Sequence, residues 1–258
     1  MAPTTPDEVP GRVPEPEDRS SSSSKRPHGG GGDASGPLLT AVAVTGVVSV
    51  VSYVAPVGYA NTLVGLVFLA ATWWLVVHDR DTAFVRHFGL GLGGLTETGP
   101  LSGRRLFREG AHAGGWALVV GSLVFPLFWW GYTVWWDTGA FVPRFPRAWL
   151  DQALGQLLVV ALPEEAFYRG YLQTSLEDVW ANRRRRVLGV ELGWGWLASA
   201  AIFAVGHLLT VPHPSRLAVF FPALMFGWLR ARTGGVGAAI VLHALSNLLS
   251  AFLADAYR

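Results

Sequence analysis

The chain alternates between long apolar runs and short polar connections. There are seven apolar runs, six of them without a charged residue, and most are long enough to form a helix across a bilayer. They lie at residues 37–55, 59–77, 111–135, 148–172, 193–211, 217–229 and 235–254. The sixth run is the shortest, and Pro222 interrupts it. The pattern predicts an all-α fold, a polytopic transmembrane helical bundle of about seven spans.

Composition agrees with this prediction. Hydrophobic residues make up 51% of the chain and charged residues 15%, and the mean hydropathy is +0.34. A soluble domain carries about 25% charged residues. The chain has no cysteine, which excludes disulfides, thiolate zinc sites and a cysteine nucleophile.

The first 36 residues differ from the rest of the chain. They are rich in proline, serine, glycine and charge, and they include the runs Ser20–Ser24 and Gly29–Gly32. Such a segment cannot bury a core. We therefore predict a disordered cytoplasmic tail at residues 1–36 and a transmembrane helical domain at 37–258.

The basic residues are distributed unevenly. With seven spans and the N-terminus inside, the inner segments hold most of them, including those of the 78–110 connection and the run Arg183–Arg186. The outer segments hold Arg144, Arg147, Arg216 and Arg258. The positive-inside rule then predicts a cytoplasmic N-terminus for an integral protein of the bacterial inner membrane. We interpret the arginine run as an inner-face anchor rather than a lipid or nucleic-acid site, and predict no nucleic-acid partner.

The fourth run contains charges that a bilayer disfavours. Glu164, Glu165 and Arg169 lie among leucine, valine, alanine and phenylalanine, and each charge costs about 2.5 kcal/mol or more at mid-depth. Glu165 and Arg169 are four residues apart and can pair on one helical face. Glu164 points about 100° away and is left out of that pair.

Two other runs also carry polar residues at helical spacing. Phe203 and His207 share one face of the fifth run, and His243 and Asn247 share one face of the seventh. Polar side chains within a membrane face the bundle interior and each other. We therefore expect Glu164 to meet the two histidines and Asn247 in one site.

These residue types are suited to proton transfer. A carboxylate beside an imidazole can activate a water molecule, and imidazole and amide N–H groups can stabilise a developing oxyanion. Such a set fits hydrolysis of a peptide bond. The GxSxG and HExxH motifs of other hydrolases are absent from the sequence. The glutamate and the two histidines could instead hold zinc.

Three motifs follow one another along the chain. They are EExxxR at Glu164–Arg169, FxxxH at Phe203–His207 and HxxxN at His243–Asn247. In this order they resemble the CAAX protease and bacteriocin-processing (CPBP) family of intramembrane endopeptidases, which have the type II CAAX prenyl endopeptidase fold. The resemblance covers residues 150–252.

The resemblance implies a role for each motif residue. Glu164 would be the catalytic base, with His207 holding the water. His243 and Asn247 would stabilise the oxyanion. The remaining motif residues, Glu165, Arg169 and Phe203, would support the site.

Members of this family have been described both as metalloproteases and as glutamic-type proteases. We favour the reading that needs no cofactor, because asparagine is a poor zinc ligand and the Glu–His pair suffices. In the other reading zinc is bound by Glu164, His207 and His243.

The function that we predict is an intramembrane endopeptidase. Its partners would be the lipid bilayer and a membrane-bound or lipid-anchored protein substrate. The chain's richness in tryptophan, arginine and glycine resembles the myxobacterial sorting-protease branch of the family. The alternative is a non-enzymatic membrane protein, such as a proton-coupled transporter or an immunity or scaffold protein, that uses the same polar cluster. The paired broken helices of many transporters are not evident in the sequence.

Overall fold

The computed structural model describes Met1, residues 33–136 and residues 138–257, except for the side chain of Arg183. Residues 2–32 lie outside this range, and so does the prediction of a disordered tail that falls on them. The eight helices of the described chain are α1 (Ser35–Val54), α2 (Ala60–Val77), α3 (Thr82–His87), α4 (Gly103–Trp135), α5 (residues 149–179), α6 (Trp194–Thr210), α7 (Phe220–Thr233) and α8 (Gly237–Ala256).

The remaining regular structure is short. There are 3₁₀ turns at Leu92–Gly94, Ala181–Arg183 and Pro214–Val219. Strands β1 (Arg185–Val187) and β2 (Val190–Leu192) form an antiparallel hairpin in which Arg186 lies opposite Glu191. Leu188 and Gly189 between the strands both have positive φ, of 45° and 84°, as a tight two-residue hairpin turn requires.

The structure confirms the all-α membrane bundle. Among the described residues, α1, α2, α4 and α8 are long and apolar enough to cross a membrane, and α6 is a shorter apolar helix. Large apolar side chains cover their outer faces. Leu39, Val42, Leu118 and Leu123, for example, are each more than 60% exposed, as expected of a surface that faces lipid.

Three helices differ from the predicted runs. Helix α5 continues to residue 179, seven residues beyond the predicted end at residue 172. Helix α4 begins at Gly103, eight residues before the predicted start at residue 111, because the Ser102 side chain accepts a hydrogen bond from Arg105 N and caps the helix. Pro222 does not interrupt α7. It lies in the first turn, where the missing N–H of proline has no helical partner to lose.

Helix α5 forms the centre of the bundle. Every residue of its segment Ala166–Gln173 is buried, with α2, α6 and α7 packed around it. Small residues permit this close packing. A Cβ atom on Gly65 of α2 would lie 2.5 Å from the carbonyl oxygen of Val159, so only glycine fits against this part of α5.

The connection between α2 and α4 is an ordered structure that packs on one end of the bundle. Glu97 accepts hydrogen bonds from the guanidinium groups of Arg86 and Arg105. These bonds hold the pKa of Glu97 well below its usual range, at about 2. At the same end, Arg230 of α7 donates to the carbonyl oxygen of His87. We call this end, with the β hairpin, the arginine-rich face.

Candidate active site

Two irregular segments of α5 flank the paired glutamates. Gly155–Ala161 and Ala166–Gln173 are π-helical, and the α-helical turn Leu162–Glu165 lies between them. π-helical segments are rare and occur frequently at functional sites. They change the angle at which successive side chains leave the helix, so the sequence alone could not fix the direction of either carboxylate.

Glu165 is the fully buried member of the pair. Its Oε1 atom accepts a hydrogen bond from Arg169 Nη1 at 2.9 Å, which is the predicted i,i+4 pair. The same oxygen accepts a second bond from His243 Nδ1 at 2.8 Å. This second contact joins α5 to α8 and was not predicted. It makes Glu165 the residue that orients His243.

Arg169 is held by aromatic rings as well as by Glu165. Its guanidinium carbon lies 4.3 Å from the ring centroid of Phe203 and 5.2 Å from that of Phe226. Cation–π contacts of this kind are stronger where water is excluded. Phe203, expected to support the site by packing, therefore lies against the buried cation.

Glu164 lies on the cavity side of α5. Its Oε2 atom is 3.9 Å from His243 Nε2. That oxygen is buried and has no hydrogen-bond partner among the described residues. The His243 ring stacks on Phe226, with centroids 4.9 Å apart, so its Nε2 atom faces Glu164 while its Nδ1 atom binds Glu165. The structure thus brings Glu164 and His243 together.

His207 reaches the same cavity from α6. Its Nδ1 atom lies 3.1 Å from the carbonyl oxygen of Phe203 and donates to it. The neutral ring then carries its proton on Nδ1, which leaves Nε2 as an acceptor. The ring also packs on that of Phe203, with centroids 4.3 Å apart.

Asn247 lies one turn along α8 from His243 and has a partner that sequence reasoning missed. Its Nδ2 atom donates to Gln156 Oε1 at 2.8 Å. Gln156 lies in the first π-helical segment of α5, eight residues before Glu164. It belongs to none of the three motifs. Only one feature of the sequence could have identified Gln156: it is a polar residue within an apolar run.

One cavity joins these side chains. It has a volume of about 950 Å³, and its walls include Gln156, Glu164, His207, His243 and Asn247. The other walls come from α1, α2, α4 and α7 and are mainly apolar. A second groove of about 560 Å³, beside Trp180 and Trp194, is lined by apolar side chains and offers no acid or base.

The side chains of the site do not form a metal-binding group. Among the described residues, no group of three histidine, cysteine, aspartate or glutamate side chains is placed to hold a metal. His243 uses one ring nitrogen for Glu165. We therefore derive no chemical step through a metal ion.

The arrangement has the constituents of acid–base chemistry. An unpaired carboxylate, an imidazole held by a second carboxylate, and an amide held by another amide line one cavity. These features define a membrane-embedded helical protein with an acid–base site inside the bundle.

Part of the chain matches a model of a known protein family. Residues 146–249 match the family model described as Rce1-like, type II CAAX prenyl endopeptidase Rce1-like. All seven predicted site residues lie within the match. This part of the chain is similar to that protease family, and the match confirms the resemblance to the CAAX proteases. No curated protein and no solved structure matches the chain.

Proposed function

We propose that the protein is an intramembrane endopeptidase that hydrolyses a peptide bond in a membrane-bound or lipid-anchored protein. The observation that carries the proposal is the buried Oε2 atom of Glu164 at the wall of a large cavity. It lies 3.9 Å from His243 Nε2 and has no hydrogen-bond partner among the described residues. The family match supports the reaction class.

In the first step Glu164 is the general base. It removes a proton from a water molecule while the water oxygen attacks the carbonyl carbon of the substrate. His207 offers its Nε2 acceptor to the second proton of that water. The carbonyl oxygen gains the negative charge, and Glu164 becomes neutral.

In the same step His243 and Asn247 stabilise the oxyanion. This role requires an N–H on both ring nitrogens of His243: Glu165 accepts the Nδ1–H, and the Nε2–H, on the side of the ring that faces Glu164, donates to the oxyanion. Asn247 has one N–H bound to Gln156 and a second N–H to donate.

Charge balance favours this assignment. The charges of Glu164, Glu165 and Arg169 sum to −1, and an imidazolium at His243 makes the group of four neutral. When the oxyanion forms, the negative charge moves from Glu164 to the substrate and the total is unchanged. Protonated Glu164 then gives its proton to the leaving nitrogen. The C–N bond breaks and leaves a carboxylic acid and an amine.

The test compares the ends of membrane proteins in cells that carry the wild-type chain or a Glu164→Gln variant. We expect protein termini, identified by mass spectrometry, that occur with the wild type and disappear with Glu164→Gln and with His207→Ala. Glu191→Gln and His213→Ala are matched controls, because both residues are exposed and lie outside the cavity.

A substrate found in this way is then tested with the purified protein in liposomes. Cleavage that depends on Glu164 supports the proposal, and a chelator decides whether a metal takes part. Identical termini in wild-type and Glu164→Gln cells would overturn the proposal and favour a non-enzymatic membrane protein.

A further inference from the structure

The helices of the bundle alternate between two ends. Helix α6 starts where α5 finishes, because Glu177 Oε1 accepts hydrogen bonds from Gly193 N and Trp196 N at 2.8 and 2.9 Å. Helix α6 ends beside the end of α1, where the Tyr53 hydroxyl donates to Leu209 O at 2.8 Å. The start of α6 therefore lies at the arginine-rich face, and its last turn lies at the opposite face.

Helix α8 has the same direction as α6. Before its first turn, Val236 N donates to Gly89 O, which belongs to the connection on the arginine-rich face. Beyond its last turn, the Tyr257 hydroxyl accepts from Trp129 Nε1 near the end of α4. The end of α8 therefore also lies at the opposite face.

The two faces differ in charge. On the arginine-rich face the described arginine side chains are Arg80, Arg86, Arg104, Arg105, Arg108, Arg184, Arg185, Arg186, Arg230 and Arg232. On the opposite face they are Arg144, Arg147 and Arg216. By the positive-inside rule, the opposite face is the non-cytoplasmic one.

The cavity extends from the candidate site toward the opposite face alone. Its outer walls include Ser52, Asn61, Thr210, Arg216 and Ser250, which lie near the ends of the helices at that face. On α5 the lining stops at Tyr168, and on α8 it starts at His243.

Toward the arginine-rich face the bundle is closed by packing. Arg169 and Gln173 follow Tyr168 on α5, and both are buried. Gln173 Nε2 donates to Gly227 O of α7 at 3.1 Å. A Cβ atom on Gly227 would lie 2.5 Å from the Gln173 side chain, so the two helices touch here. A peptide cannot reach Glu164 by this route without separating them.

The cavity also has an apolar rim at its outer half. Leu127 of α4 and Phe221 of α7 line it and are 67% and 68% exposed. An apolar rim between two helices suits a substrate that arrives while still anchored in lipid. Arg216 adds a positive charge at the mouth, among walls that are otherwise apolar or neutral.

We infer that the candidate site receives its substrate from the face opposite to the arginine-rich face. The substrate is then a membrane-anchored protein whose cleaved bond lies on the non-cytoplasmic side. This inference rests on the proposed function and adds the side of the membrane from which the substrate comes.

The absence of cysteine from the sequence provides a direct test. Ser250→Cys places one thiol at the cavity mouth, and Leu101→Cys places one in the connection on the arginine-rich face, where Leu101 is 55% exposed. Each variant is treated with a membrane-impermeant maleimide in sealed right-side-out and inside-out vesicles. We expect Ser250→Cys to react at least tenfold more in right-side-out vesicles, and Leu101→Cys to show the reverse.

The same reagent tests access to the site. We expect alkylation of Ser250→Cys to lower cleavage of an identified substrate at least tenfold relative to the unmodified variant, and alkylation of Leu101→Cys to change it less than twofold. Labelling of Ser250→Cys only in inside-out vesicles would overturn the inference, as would full activity after its alkylation. If the wild type cleaves nothing, the proposed function fails, while the labelling pattern still decides which face the cavity opens to.

Discussion

The carboxylates of Glu97 and Glu165 both bind arginine, but their surroundings differ. Glu97, in the connection on the arginine-rich face, accepts four hydrogen bonds, and both of its oxygens are satisfied. In the candidate site, Glu165 uses only Oε1, for Arg169 and His243. The Oε2 atoms of Glu164 and Glu165 are buried without a partner among the described residues.

The difference distinguishes the ion pair of Glu97 from the proposed active site. A buried acceptor without a partner costs about 1–3 kcal/mol, and native structures contain few of them. Around Glu97 no such cost arises, and that carboxylate lines neither of the two cavities described above. At Glu164 the cost coincides with a cavity large enough for a peptide segment. The oxygen is therefore placed where it could accept a proton from a water molecule in the cavity, as the proposed reaction requires.

Exchanging the two glutamates for glutamine gives the largest expected contrast. We expect Glu164→Gln to lower the cleavage rate by about 10²–10⁴-fold, because a general base is lost, with little change in thermal stability. We expect Glu97→Gln to leave cleavage within twofold and to lower the free energy of unfolding by about 2 kcal/mol. Rates on an identified substrate and thermal unfolding in detergent measure the two effects. Equal activity losses in both variants would show that the distinction is wrong.

Substitution of Glu165 should lower both the cleavage rate and the free energy of unfolding. Glu165→Gln leaves Arg169 as a buried charge without a counter-ion, so we expect a loss of about 3–5 kcal/mol in the free energy of unfolding. The orientation of His243 should be lost as well. The double variant Glu165→Gln/Arg169→Met removes the unpaired charge, and we expect it to recover much of the stability but none of the activity. Recovery of both would contradict the role of Glu165 in holding His243.

Much of the fold could be predicted from the sequence, because a helix that lies in a lipid bilayer must be long and mainly apolar. Apolar runs indicated the long helices of the bundle, and also α6 and α7, which have only 17 and 14 residues. The i,i+4 pair of Glu165 and Arg169 followed from helical spacing. The start of α4 at Gly103 could not be predicted in this way. It depends on the cap at Ser102, and the first turns of the helix contain charged residues as well as apolar ones.

The contacts of the site were harder to predict. His243 and Glu165 are 78 residues apart, and nothing in local spacing indicates which carboxylate the histidine binds. The π-helical segments of α5 shift the register on which such reasoning depends. Gln156 was missed for the same reason, because its partner Asn247 belongs to another helix.

Substitution of Gln156 should have a smaller effect on the proposed active site than substitution of Glu164 or Glu165. It is a positioning residue, because its contact with the site runs through Asn247. We expect Gln156→Leu to lower kcat about tenfold, as loss of one hydrogen bond allows, with little change in KM. Gln156→Glu retains an acceptor at the same place and should preserve more of the activity.

A double-mutant cycle checks that Gln156 acts through Asn247. In an Asn247→Ala background we expect Gln156→Leu to have no further effect on kcat, because the amide that it orients is already gone. Additive losses would show instead that Gln156 supports the bundle independently of Asn247.

The smallest expected effect is a pH dependence on the arginine-rich face. The side chain of Asp178 lies 2.7 Å from His87 Nε2, and this hydrogen bond raises the pKa of His87 above its usual 6.5. The contact therefore stabilises the fold fully below pH 6.5 and is lost as the pH rises through the raised pKa. Because His87 is about half exposed, we expect the contact to contribute less than about 1 kcal/mol to the free energy of unfolding.

The measurement is the thermal midpoint as a function of pH. As the pH is raised from 6 to about 8, the midpoint of the wild type should decrease more than that of His87→Gln. Glu97, with its pKa of about 2, should contribute nothing over that range, so an equal slope in Glu97→Gln and the wild type is the matched control.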